Sequence, residues 1–187
     1  GGNDELFLEG LSVESNNIVY ELHSGNNLIG FPFDTSVDIS SSIPDSVEMF
    51  FEGIIGQGVA AQQVAPYTWV GSLSDFSAGD GYWVNLNDDI TFSLDISSDL
   101  GMIKENIYNN ETQKLFEYKQ SSAQAFYFIE SLILNDLDIN DFWLLSYCNE
   151  KITGARKWNG EYTDIPVMGN DNNDYSLNYC NEQQVPV

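Results

Sequence analysis

Hard oxygen ligands gather in two places along this chain. Asp136, Asp138, Asn140 and Asp141 crowd one short segment, and Asn170, Asp171 and Asp174 fall within the run Gly169-Asn170-Asp171-Asn172-Asn173-Asp174. Ca²⁺ takes several such oxygens at once, backbone carbonyls included, and tolerates irregular geometry, so it is the cofactor these residues suit. Neither segment is an EF-hand, because the central glycine and the closing bidentate glutamate are absent. Asn and Asp also build ordinary solvated turns, and that reading stands beside the first. Asp80 with Asp88 and Asp89 forms a sparser third set.

Other reactive groups are few. Cys148 and Cys180 both sit in polar Cys-Asn-Glu contexts; in an oxidising compartment they can pair, and otherwise they are two free thiols. Two cysteines and one histidine assemble no zinc site. His23 is the single group with an ordinary pKa near neutrality, and no Ser or Cys motif accompanies it, although a His23/Cys148 pair is conceivable. No P-loop, Gly-x-Ser-x-Gly or His-Glu-x-x-His occurs, and Gly56-Gln57-Gly58 reads as a tight corner. The expectation is a protein that is not an enzyme. Trp69, Trp83 and Trp143 lie in apolar strand runs and read as core. Trp158, beside Asn159-Gly160 and Tyr162, reads either as a hairpin end or, with Tyr162, as a platform for carbohydrate. Lysines are scarce enough that Lys119 or Lys151 could serve an intramolecular isopeptide bond.

Twenty-nine acidic residues against six Lys and Arg leave a formal charge of −23 over 187 residues. A basic face able to release counterions from nucleic acid is missing, and anionic membrane surfaces are disfavoured likewise. Such self-repulsion is relieved by salt, whose screening length shrinks from roughly 8 Å at physiological strength to about 3 Å at 1 M, or by bound cations. No apolar run is long enough to insert in a membrane. Gly1-Gly2 reads as an excision point rather than a signal peptide, which suggests a piece of something longer.

Short aromatic and β-branched runs bounded by Gly, Asn and Asp predict a mainly β fold with one or two short helices. Strands are expected over 6–13, 18–22, 28–33, 68–73, 82–86 and 90–94, with a turn at Ser24-Gly25-Asn26-Asn27. One helix is expected at about 44–54. Pro44 suits its first turn, Asp45 and Glu48 its positive end, and Val47, Phe50, Phe51 and Ile54 one face. Residues 3–95 therefore form one β-rich module. Residues 96–112 are a polar linker or docking segment with a short helix near 100–108, and hold the Asn110-Glu111-Thr112 acceptor pattern. Residues 113–187 carry strands over 125–134, 142–147, 152–158 and 162–168, the spacing of a second small module built as a β-sandwich.

The series Asn27-Leu28-Ile29-Gly30, Trp69-Val70-Gly71-Ser72-Leu73 and Gly81-Tyr82-Trp83-Val84 resembles a β-rich module that recurs in large secreted, cell-surface or virion proteins, often of marine bacteria and their viruses. Asp141-Phe142-Trp143-Leu144-Leu145 with Gly154-Ala155-Arg156-Lys157-Trp158 resembles the small sandwich module that accompanies it. The resemblance implies an extracellular or surface location and an adhesive or structural role. It also implies that the second sandwich lacks a final strand after Val185-Pro186-Val187, which leaves an open sheet edge. Three roles follow as expectations: a non-catalytic structural or adhesive module, stabilised by Ca²⁺; a module that binds an extracellular glycan or peptide, the peptide by strand complementation; and a self-crosslinking domain. Neighbouring modules or chains are the other expected partners.

Overall fold

In Gly81-Tyr82-Trp83-Val84-Asn85-Leu86 every second side chain is large and apolar, so a strand places Tyr82, Val84 and Leu86 on one face and Trp83 and Asn85 on the other. The computed structural model, which describes residues 18–96, 116–133 and 142–187, follows that rule. The described residues are mainly β, with strands β1 (Tyr20–Leu22), β2 (Gly25–Gly30), β3 (Val37–Asp38), β4 (Phe51–Ile55), β5 (Ala60–Ala65), β6 (Thr68–Gly71), β7 (Asp75–Phe76), β8 (Gly81–Leu86) and β9 (Ile90–Phe92). Two short helices, α1 (Ile39–Ser42) and α2 (Asp45–Glu48), lie between β3 and β4. Strands β2, β8, β4, β5 and β6 form one antiparallel sheet in that order, while β1 pairs with β9 and β3 with β7.

The helix expected at 44–54 is corrected. Only Asp45–Glu48 is helical, and Phe51–Ile55 is a central strand. Glycine inside a helix costs about 1 kcal/mol relative to alanine, and β-branched Ile54 and Ile55 suit a pleated surface. Pairing on both sides, with β8 and β5, then decides the matter. The turn expected at Ser24–Asn27 is likewise displaced: β2 begins at Gly25. Asn27 is buried, its amide donating to the His23 carbonyl (2.7 Å) while its oxygen accepts the His23 N–H (3.1 Å).

Ile29, Phe31, Phe51, Ile54, Phe76, Tyr82, Val84, Leu86 and Phe92 pack on the inner face of the five-stranded sheet. Phe76 meets Tyr82 edge-on at 4.9 Å and lies over Phe31 at 5.8 Å. Glu48 is buried at the rim of this core. Its Oε1 accepts from both the Trp69 indole N–H (2.7 Å) and the Ser40 hydroxyl (3.1 Å), which offsets the cost of burying the carboxylate.

The remaining strands are β10 (Gln124–Ile129), β11 (Trp143–Cys148), β12 (Lys151–Lys157) and β13 (Thr163–Met168). β10 pairs with β13 and β11 with β12, giving two small antiparallel sheets in a sandwich-like arrangement. Asn149 and Glu150 take left-handed φ of 48° and 63°, the two-residue hairpin geometry that matches strand twist. Gly154 lies against the Pro166 carbonyl with no space for a methyl group, which lets β12 and β13 approach. Cys148 and Cys180 form a disulfide with Cα atoms 5.2 Å apart, and with Val167 they make a separate buried cluster. Val187 exchanges both backbone hydrogen bonds with Tyr147 (2.8 and 3.0 Å), so the chain itself touches the edge of β11. No helix among the described residues is long and apolar enough to cross a membrane.

Candidate functional site

The outer face of the five-stranded sheet holds the most developed site, and cross-strand register builds it. Directly opposed residues form two rows across the strands. The first is Leu28, Trp83, Ile55 and Ala60; the second is Asn26, Asn85, Gly53 and Gln62. An apolar row headed by a tryptophan thus runs beside a row of side-chain amides, with the bare backbone of Gly53 in its floor. Trp83 is 50% exposed, which corrects its expected place in the core. Alternation along β8 gives the inner face to Tyr82 and Val84, and the indole is left outside.

Phe126 and Phe128 of β10 stand along the apolar row, and together with Met49, Val64 and Pro66 they turn this face into a groove of about 710 Å³. A second cavity of about 280 Å³ opens on the other side of Trp83, towards Ser122 and Gln124. Trp83 therefore lines both hollows. Polar groups are set in advance: the Asn85 amide donates to the Glu52 carboxylate at 3.0 Å, and Asn26 directly opposes Asn85. Amides both donate and accept, and an exposed indole face offers a broad apolar platform.

The wall depends on how the second half docks. Arg156, buried, donates to the Asp164 carboxylate (2.9 Å), to the Asp164 carbonyl (3.1 Å) and to the Gly58 carbonyl in the β4–β5 turn (2.8 Å). Asp164 also accepts the Ser72 hydroxyl at 2.8 Å. Gln124 donates to the Gly56 carbonyl, and Phe128 packs beside Gly71, whose φ is +115° and where a Cβ would collide with the ring and with the Ala60 carbonyl. The corner read at Gly56-Gln57-Gly58 is thus a docking point, with Gly58 at φ 73°.

The residues singled out from sequence lie elsewhere. Trp158 is half-buried, its N–H bonded to the Phe142 carbonyl. The Tyr162 hydroxyl stands 3.5 Å from Glu130, whose charge foremost raises the tyrosine pKa. Neither lines the groove. Asp136, Asp138, Asn140 and Asp141 fall outside the described residues, as does Asn110-Glu111-Thr112 and the segment from 97 to 112.

Asp171 is an acceptor hub. It takes bonds from the Ser176 hydroxyl (2.5 Å), the Ser122 N–H and hydroxyl, the Asn173 N–H and the Tyr175 hydroxyl. Those donors, Ser176 foremost, hold its carboxyl well below the usual carboxylate range. A cation there would compete with them. Asn170 bonds to the Asn172 N–H, and Asp174 is exposed. Among the described residues no group of three or more His, Cys, Asp or Glu is placed to hold a metal.

Asp89 accepts the Ser24 N–H and Asp88 the Asp89 N–H, so these two serve turns. The Cys148 sulfur is bonded to Cys180, which removes the His23/Cys148 pairing as a nucleophile and base. Lys119 and Lys151 are both exposed, contrary to the buried lysine an isopeptide bond needs. Comparison with protein-family models, with curated proteins and with solved structures found no match for the chain.

Proposed function

We propose that this chain is a non-catalytic adhesive module of a secreted, cell-surface or virion protein, and that it holds a neutral glycan in the groove across the five-stranded sheet. The observation that carries the reading is the pairing of an exposed Trp83 with the opposed amides of Asn26, Asn85 and Gln62. Sugar rings present an apolar C–H face and a rim of hydroxyls. The two rows offer one surface for each, and two cavities flanking one indole suit an oligosaccharide rather than a single sugar. A field of −23, with Glu52 at the groove, favours an uncharged ligand there. An extracellular setting is supported by the disulfide and the acidity.

Tryptophan emission during titration with neutral oligosaccharides, chosen from a glycan array, tests the proposal. We expect a ligand-dependent shift in the native chain, and a weakening of about 10- to 100-fold, or about 1.4 to 2.7 kcal/mol, in Trp83→Ala. Trp158→Phe should leave binding unchanged. Absence of any neutral glycan ligand, or binding that survives Trp83→Ala, overturns it.

Strand addition by an extended peptide is the second reading, and β11 favours it. Tyr147 bonds Val187 on its outer edge, while the outward backbone groups of Leu145 and Trp143 have no partner among the described residues. Peptide binding that protects the Leu145 amide from hydrogen exchange, with no effect of Trp83→Ala, would support this reading over the first.

A further inference from the structure

Two of only six basic residues in the chain, Lys119 and Lys151, line one cleft of about 550 Å³ on the second half of the molecule. With 29 acidic residues at hand, each lysine could be expected to have an acidic partner. Neither has a carboxylate within ion-pairing distance among the described residues. Lys119 instead holds its ammonium 5.5 Å from the centre of the Tyr175 ring, and Lys151, the first residue of β12, lines the same cleft. Tyr118, Tyr175 and Asn178 are part of the lining, as are the acidic Glu117 and Asp174.

The walls are fixed. The Cys148–Cys180 disulfide joins the β11–β12 hairpin to the loop carrying Tyr175 and Asn178. The Asn149 amide bonds the Asn178 and Tyr179 carbonyls across the same gap, and the Lys119 N–H donates to the Tyr179 hydroxyl at 2.8 Å. A cleft held in this way keeps both lysines on the lining of one cavity before any ligand binds.

We propose that this cleft binds the carboxylate of an acidic sugar, a uronic acid unit within an oligosaccharide. Two compact, mobile ammonium groups match a single carboxylate without demanding the planar fork that arginine supplies. Tyrosine faces beside them suit a sugar ring. Charge selects the carrier: a saccharide with carboxylates spaced by neutral rings meets little of the surrounding negative field, whereas a densely acidic peptide is repelled along its length. The choice of a saccharide rests on the function proposed above; the lysine pair and its carboxylate do not.

Calorimetric titration of the full chain with a uronate-containing oligosaccharide and with its carboxyl-reduced neutral counterpart tests the proposal, using Lys119→Met, Lys151→Met and Trp83→Ala. Both lysines are exposed, so the melting temperature should not move. We expect affinity for the acidic sugar to fall about tenfold with each lysine removed. Binding of a neutral glycan in the groove should persist in both lysine variants and weaken about 10- to 100-fold in Trp83→Ala, which separates failure of the cleft from failure of the groove. Reduction of the disulfide should weaken the acidic sugar alone. Equal affinity for the acidic and carboxyl-reduced sugars, or acidic binding retained after both lysines are replaced, overturns the site. Equal binding of a polyglutamate peptide overturns the saccharide assignment.

Discussion

Replacing Arg156 with methionine removes a cation from the place where the two halves meet. The side chain is 7% exposed and Asp164 is 2% exposed, so the carboxylate left behind keeps the Ser72 hydroxyl and loses its counter-charge. The Gly58 carbonyl in the β4–β5 turn loses the Arg156 bond as well. Breaking one side of a buried pair costs about 3 to 5 kcal/mol, because the survivor is a charge without compensation. A stranded carbonyl adds about 1 to 3 kcal/mol where water cannot reach it. Against a total stability of about 5 to 15 kcal/mol, the single substitution should remove a large share of the fold's margin.

Urea unfolding of the native chain, Arg156→Met, Asp164→Leu and the double variant forms the cycle that checks this. Each single change should lower the midpoint steeply. The double change should recover much of the loss, since two apolar groups leave no buried charge, and the coupling should exceed about 1 kcal/mol. Additive single effects, or a cost under about 1 kcal/mol for Arg156→Met, would refute the view that this pair is a desolvated link between the halves. Groove binding gives an independent reading. Phe126 and Phe128 reach the sheet because β13 and its partner β10 are docked through this link, so glycan affinity should fall in the single variants while they are still folded.

Four further outcomes follow from particular contacts. Gly154→Ala drives a methyl into the Pro166 carbonyl and should cost at least the roughly 1 to 3 kcal/mol of an overpacked core, read as a lowered melting temperature. Cys148→Ser with Cys180→Ser opens a loop with a sequence separation of 32, worth about 3.7 kcal/mol on the chain-entropy model, and an unchanged urea midpoint would contradict it. Asp171 has a folded pKa below its unfolded value of about 3.9; its stabilisation is complete above that value and declines as pH falls through the folded pKa. An acid titration of Asp171→Asn should therefore lack the low-pH part of the native chain's stability loss. Thermal melts with Ca²⁺ and with chelator at matched ionic strength test the acidic segments 136–141 and 170–174: a hundredfold excess over Kd raises stability by about 2.7 kcal/mol, and equal midpoints remove the metal.

Strands built from aromatic and β-branched runs were legible, whereas β5, with its Ala and Gln residues, was not. β8, β11, β12 and β13 lie within a residue or so of the aromatic and β-branched runs that announce them. The segment at 44–54 was not legible. Val47, Phe50, Phe51 and Ile54 satisfy a helical stripe, yet the last two also belong to a strand, and partners distant in the chain made the choice. Trp83 shows a different gap: composition marks it as core, while alternation around Tyr82 and Val84 already turned it outward.

The groove itself was hidden for a reason that applies to any sheet-face site. Asn26, Asn85 and Gln62 are scattered along the chain and become neighbours only when β2, β8, β4 and β5 adopt one register; a slip of a single residue would turn each to the inner face. The same dependence works in the fold's favour. Ile29, Ile54, Tyr82 and Val84 must be buried together, and that requirement fixes the register far more strongly than the amides could. The inner core thus sets the spacing of the outer rows, and substitutions at Asn26, Asn85 or Gln62 should change binding while leaving the sheet intact. Selectivity on the outer face is free to vary because burial of the apolar inner face sets the register of the strands.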